Sequence, residues 1–249
     1  ELFPICGLTA TPGRSYEHTP VLVDTFESTL FTPTLGERFQ EDPLEYFRSE
    51  DYLARPVHKV VNTHITIPNN NHKTDETQDD FIDRMDRVIV RDLERNAQRN
   101  RLILKELLSI PEGELTLVYA CSVRHAELLS ILLNHRQRSA TAISTNTPRY
   151  YRLKLLEQFK ARKIQFVTNF GVLTTGFDAP KVKNIVICRP TFSEVLYEQI
   201  VGRGLRGEKF GGTKECNIID FSDNYERFGD QQAYFRFQNF WNNNTMSFS

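Results

Sequence analysis

Leu115-Thr116-Leu117-Val118-Tyr119-Ala120-Cys121-Ser122-Val123-Arg124-His125-Ala126 is the stretch on which the fold reading turns. Residues 115–121 are apolar and β-branched, too short a run for a helix, and read as a buried strand. Behind them, the apolar residues of 123–134 recur at three- and four-residue steps, as on a helix. The alternation continues downstream. Strands are expected over 140–144, 164–169, 182–188 and 215–221, with helices over 148–162 and 193–205 and a helical turn over 171–175. Short strands separated by helices specify an α/β fold, a doubly wound parallel sheet with helices on both faces. Functional groups on such a sheet are expected at the carboxyl ends of its strands.

Outward from this core the pattern loosens. Residues 79–110 carry the longest helical signal, with a break expected at Asn100 and a stop at Pro111-Glu112-Gly113. Residues 15–78 are polar and rich in turn formers, with one short helix within 42–52. An alternating strand follows from Pro56 through Val57, Lys59, Val61, Thr63, Ile65 and Ile67. Residues 2–8 read as a strand that runs into Thr9-Ala10-Thr11-Pro12-Gly13-Arg14. With that strand already under way after Glu1, the chain reads as cut from a longer protein.

The 249 residues are 39% hydrophobic and 25% charged, enough to bury a sizeable core. A net charge of −1, from 31 basic and 32 acidic residues, excludes a generally polyanion-seeking surface. Nucleic acid, if bound, has to be met by a local groove. No apolar run approaches the ~18 residues of a membrane span, and no charged-then-apolar leader opens the chain. Cys6, Cys121, Cys188 and Cys216 are scattered singly, which argues for reduced thiols and a cytoplasmic location rather than a disulfide or zinc framework. His58 and His64 share a strand face without a third ligand, so no metal site is expected.

Three short motifs carry chemistry. In Gln199-Ile200-Val201-Gly202-Arg203-Gly204-Leu205-Arg206-Gly207, two arginines three apart share one face of a helix end, and glycines keep the surface around them low. Guanidinium groups held this way can clamp a polyphosphate and neutralise charge during phosphoryl transfer. The same residues also suit a cationic helix terminus with Gly207 as its cap. Thr174-Thr175-Gly176-Phe177-Asp178-Ala179-Pro180 offers a tight glycine approach and one carboxylate, fit either for ribose hydroxyls or for a turn. Thr9 and Thr11, at a strand end, can bridge a phosphate site to a neighbouring lobe or simply close the turn.

Taken together and in this order, Thr-Ala-Thr-Pro, Thr-Thr-Gly-Phe-Asp-Ala-Pro and Gln-x-x-Gly-Arg-x-x-Arg resemble motifs III, V and VI of superfamily 2 helicases. Residues 117–126 look like motif IV. Arg189-Pro190-Thr191 and Ile218-Ile219-Asp220-Phe221 are similar to the branch that holds restriction-enzyme motors and their DEAD/DEAH-like relatives. The resemblance covers residues 2–14 and 115–223; residues 15–110 match loosely.

The resemblance implies a RecA-like C-terminal lobe at 111–223, preceded by residues 1–14 as the last strand of a missing first lobe and by a connector at 15–110. An aromatic-rich tail follows at 224–249. It implies ATP and Mg²⁺ as cofactors of the whole motor, but no Gly-x-x-x-x-Gly-Lys-Thr loop or Asp-Glu-x-His is present to hold them. Arg203 and Arg206 match arginine fingers, and Gln199 matches the polar residue that links them to the other motifs. Gly176 and Asp178 match the nucleotide side of motif V, with Thr9 and Thr11 as coupling residues. Ser122, Asn169, Gly171 and Arg189, at expected strand ends, are candidates for backbone contacts to nucleic acid, DNA in preference to RNA. The expected function is half of an ATP-dependent helicase or translocase, inactive as an ATPase alone. The competing reading is a binding module without motor activity. The tail aromatics read as an amphipathic helix face or as a base-stacking platform.

Overall fold

The computed structural model describes residues 37–63, 91–173, 181–189 and 194–221. The strand at 2–8, Thr9, Thr11, Gly176, Asp178, the helical stretch before residue 91 and the aromatic tail all lie outside these residues. Six strands form one sheet: β1 Arg55–Val61, β2 Leu115–Tyr119, β3 Ala140–Ser144, β4 Phe166–Phe170, β5 Val182–Ile187 and β6 Glu215–Phe221. Their order is β1-β6-β5-β2-β4-β3, and every neighbouring pair runs parallel. All six carboxyl ends therefore lie on one edge and all six amino ends on the other.

Helices cross between the strands because parallel neighbours need a long return. α1 Glu37–Glu41 and α2 Pro43–Ser49 precede β1, and α3 Ala97–Ser109 precedes β2. α4 Val123–His135, α5 Arg149–Lys160 and α6 Glu194–Val201 follow β2, β3 and β5. β2 shows why both faces are covered: all five of its residues are buried. Val118 and its neighbours join Ile103, Leu107, Leu129 and Leu133 of α3 and α4 in one core. Leu115, Leu117 and Tyr119 join Leu156, Phe159, Tyr197 and Ile200 of α5 and α6 in the other. A strand buried on both faces has no polar side to show, so its sequence is a continuous apolar run.

The doubly wound parallel sheet read from the sequence is the observed fold. Two local expectations differ. The break in the long helical signal falls at Asn96, whose side chain accepts a hydrogen bond from Arg99 N at 2.9 Å and caps α3. Asn100 lies inside the first turn. The helical turn expected from residue 171 is also not formed over the described residues 171–173, because Gly171 and Leu173 both take left-handed backbone angles, φ 66° and 65°. β1 and α3, both within the stretch read as a connector, belong to the sheet and its first face.

Candidate functional site

The helix expected over 193–205 ends at Val201, so the arginine pair lies past α6 in a loop and not on one face of a helix end. Tyr197, Ile200 and Val201 anchor that helix in the second core. Its crossover returns the chain to the amino edge of the sheet, so Arg206 emerges beside the start of β1, not at the carboxyl edge. Leu53 bridges Arg206 in antiparallel fashion, and Ala54 N donates to Leu205 O at 3.0 Å. Gly207 N donates to Tyr52 O at 3.0 Å, Lys209 N to Asp51 O at 3.1 Å and Thr213 N to Arg206 O at 3.0 Å. The segment before β1 thus fastens the arginine loop through main-chain bonds on both sides of Arg206.

Gly207 makes that fastening possible, and Gly204 lets the loop lie close on β5 and β6. A Cβ on Gly207 would lie 2.1 Å from Asp51 O, and one on Gly204 would lie 2.2 Å from Cys216 Sγ. Both contacts are closer than any side chain tolerates. Aromatic rings brace the clasp at Tyr52, which meets Phe47 edge to face with ring centroids 6.1 Å apart and Phe210 at a tilt at 5.7 Å. Arg203 and Arg206 are half-buried, as is Gln199 four residues before Arg203. Burial raises the Tyr119 hydroxyl above its ordinary range, and the nearby Arg203 charge opposes the rise. That hydroxyl donates to Leu173 O at 3.4 Å, which joins the end of β2 to the turn that opens motif V.

Ser122, Asn169, Gly171 and Arg189 do lie together at the carboxyl edge. Their side chains are engaged in different ways. Ser122 Oγ accepts from His125 N at 3.0 Å as the cap of α4 and donates to the Glu94 carboxylate. An anion already occupies that hydroxyl. Asn169 is fully buried; its Nδ2 donates to Val118 O at 3.1 Å, and its Oδ1 has no hydrogen-bond partner among the described residues. Arg189 lies over the Phe170 ring, 5.2 Å from the centroid. Gly171 is exposed, turns the chain after β4 and packs against the loop after β3, with Thr145 Cγ2 3.7 Å from where its Cβ would be. Gly171 offers main chain to a ligand; Asn169 offers nothing at the surface.

A polar network that the motif reading passed over holds this edge. Arg99 is completely buried; its Nη2 donates to Cys188 O at 2.6 Å, and its guanidinium lies 5.6 Å from the Phe221 ring centroid. Cys121 Sγ donates to the same carbonyl at 3.0 Å. Cys121 N donates to His125 Nδ1 at 3.1 Å, so the imidazole proton sits on Nε2, 3.1 Å from Asn100 Oδ1. Burial, helped by the Arg99 charge, lowers the His125 pKa to about 3. The signal was present in the sequence: Arg99 occupies the same four-residue step as Ile103 and Leu107, a charge set into an apolar stripe.

Among the described residues, Arg203 and Arg206 suit the anionic end of a nucleotide, while no group of three or more His, Cys, Asp or Glu residues could hold a metal ion. Residues 99–208 match the helicase conserved C-terminal domain family. Over these residues the chain is similar to the C-terminal domain of helicases. The chain is 30% identical over 125 residues to the putative ATP-dependent helicase IRC3 of Saccharomyces cerevisiae, covering 49% of this chain and 18% of that protein. It is 34% identical over 112 residues to the putative mitochondrial ATP-dependent helicase irc3 of Schizosaccharomyces pombe, covering 45% and 18%. A 51.5 kDa protein of a Lactococcus phage is 27% identical over 127 residues, covering 51% and 27%. The chain thus spans between 18% and 27% of the length of these relatives. The match starts at Arg99, the buried anchor of the carboxyl edge.

Proposed function

We propose that this lobe serves an ATP-dependent helicase or translocase, with Arg203 and Arg206 directed to the terminal phosphates of ATP held by another RecA-like lobe. Gln199 links the pair to the other motifs. Thr9 and Thr11 couple hydrolysis to movement of the polymer. The carboxyl edge, with Gly171 and Arg189 foremost, lies along the sugar–phosphate backbone of nucleic acid, DNA in preference to RNA. Mg²⁺, held by the other lobe, neutralises the phosphate charge when bound. The lobe itself then acts by presenting guanidinium groups where negative charge develops.

The observation that carries this reading is the clasp around Arg206. Main-chain bonds to residues 51–54 fix the loop before any ligand arrives, so little reorganisation remains for the reaction. An arginine finger is worth ~10³–10⁵ in rate only where a phosphate cradle is already present. The isolated chain is therefore expected to hydrolyse no ATP. In the full-length protein, Arg206→Ala and Arg203→Ala should each lower turnover by about 10³-fold with nucleic-acid affinity kept. Steady-state ATPase and filter-binding assays read the two effects. ATP hydrolysis by this chain alone that Arg206→Ala abolishes would overturn the division of labour. Equal loss of binding and turnover would make the arginines polymer contacts instead.

A further inference from the structure

The helix α5 has a face that the fold does not use. Leu156 and Phe159 enter the second core, with Leu155 half-buried beside them, and this inner stripe suffices to seat the helix. Tyr150, Tyr151 and Leu153 point the other way and are 74%, 61% and 55% exposed. The two tyrosine rings stand edge to face, 6.3 Å between centroids. Single exposed apolar residues need no explanation, but three within four positions on a charged helix form a patch.

Charge decides what the patch suits. Residues 149–163 hold six basic residues, Arg149, Arg152, Lys154, Lys160, Arg162 and Lys163, against Glu157 alone, in a chain whose net charge is −1. Arg152 is committed inward: its guanidinium donates to Ser144 O at 3.2 Å and Thr147 O at 3.3 Å, and so holds the loop that feeds the helix. Arg149 and Lys154 are exposed beside the tyrosines. Aromatic faces interleaved with cations serve a single-stranded polyanion, whose bases stack while its phosphates meet the charges. Duplex would present only phosphate. The helix starts at the carboxyl end of β3, and its leading loop touches Gly171. The patch therefore continues the edge assigned above to the polymer.

We propose that Tyr150 and Tyr151, with Leu153, Arg149 and Lys154, form a base-stacking site for single-stranded nucleic acid on the outer face of α5. The site extends the carboxyl-edge path and rests on that reading of the edge. It reads no sequence, because every base offers a π-face.

The test uses this chain and a fluorescein-labelled 20-mer of oligo(dT), with duplex of equal length as the second probe, by anisotropy at low salt. Tyr150→Ala and Tyr151→Ala should each weaken binding of the single strand about 10-fold or more and leave duplex binding unchanged. Tyr150→Phe and Tyr151→Phe should restore it, since stacking needs the ring and not the hydroxyl. Arg149→Ala with Lys154→Ala should flatten the salt dependence of single-strand binding. Far-UV circular dichroism confirms that each variant is folded, as expected for side chains outside the core. Single-strand binding untouched by either alanine variant, but lost in Arg189→Ala, would overturn the stacking site and leave the edge reading standing. A wild-type chain that binds neither probe overturns both. Tyrosine-dependent binding of polyglutamate, with no binding of oligonucleotide, would make the patch a docking site for an acidic protein segment and overturn the proposal.

Discussion

The two edges of the sheet are held by different means. At the amino edge, Arg206 is clasped by main-chain bonds from residues 51–54, with Gly207 admitting the close approach. At the carboxyl edge, the strand ends are tied by side chains: Arg99 to Cys188 O, His125 to Cys121 N and Asn100, and Ser122 to Glu94. Main-chain fastening tolerates most substitutions and ignores pH, except where a glycine is required. A buried polar network is sensitive at every member, because removing one leaves its partner unsatisfied in a low-dielectric interior. The arginine loop and the carboxyl edge should therefore fail under different insults.

The largest expected effect is at Arg99. Arg99→Ala leaves the Cys188 carbonyl without its charged donor and opens a cavity beside Phe221, a loss of about 3–4 kcal/mol in urea denaturation. The same variant removes one of the two causes that lower the His125 pKa, so an NMR titration of that imidazole should move upward. If Arg99→Ala instead loosened the arginine loop first, seen as faster hydrogen exchange at Gly207 and Ala54, the separation of the two edges would be broken.

Gly207→Ala comes next and strikes the opposite edge. With its Cβ 2.1 Å from Asp51 O, the clasp has to open, at a cost of about 2–3 kcal/mol. Hydrogen exchange should rise at Gly207, Lys209 and Ala54 while the Cys121 amide stays protected. Protection that is unchanged at all three would mean that the loop has other supports.

Acid should act on the carboxyl edge through His125. His125 is held neutral with a pKa near 3 in the folded chain, against 6.5 for the free imidazole. Its contribution is complete above about pH 6.5 and drains away as pH falls from there toward 3, reaching ~2 kcal/mol lost by about pH 5. Burial also lowers His58, to about 4, so the wild-type acid limb has a second source. Comparing wild type with His125→Gln isolates the first: the variant should lose ~2 kcal/mol less between neutral pH and about pH 5. Equal slopes would deny that the imidazole is buried and neutral.

The smallest effect sharpens the contrast between glycines. At Gly171 the nearest atom to an added Cβ is 3.7 Å away, so only the left-handed backbone resists, and Gly171→Ala should cost about 1 kcal/mol. Thermal melts of Gly171→Ala and Gly207→Ala side by side test that ordering.

The periodicity of residues 115–221 was enough to determine the strands, the crossover helices and the parallel sheet. A run of four to seven apolar residues between amphipathic helices has few other ways to bury both faces. Ala140–Ser144 and Glu215–Phe221 match their expected bounds. Local chemistry misled where two residues of one type stood close: Asn100 looked like the helix break, but Asn96 takes the cap and Asn100 turns its amide toward His125. What the tertiary structure alone decided is where the motifs lie relative to one another. The carboxyl-edge expectation suited Ser122, Asn169, Gly171 and Arg189, yet α6 has to run back across the sheet before β6 can begin, and that return carries Arg206 to the other edge. Leu53 and Arg206 are some 150 positions apart in the chain, and no local pattern records that their main chains meet. Hydrophobic periodicity is a property of neighbours in sequence; a clasp made of backbone bonds between distant segments leaves no mark in side-chain composition beyond the glycine that lets it close.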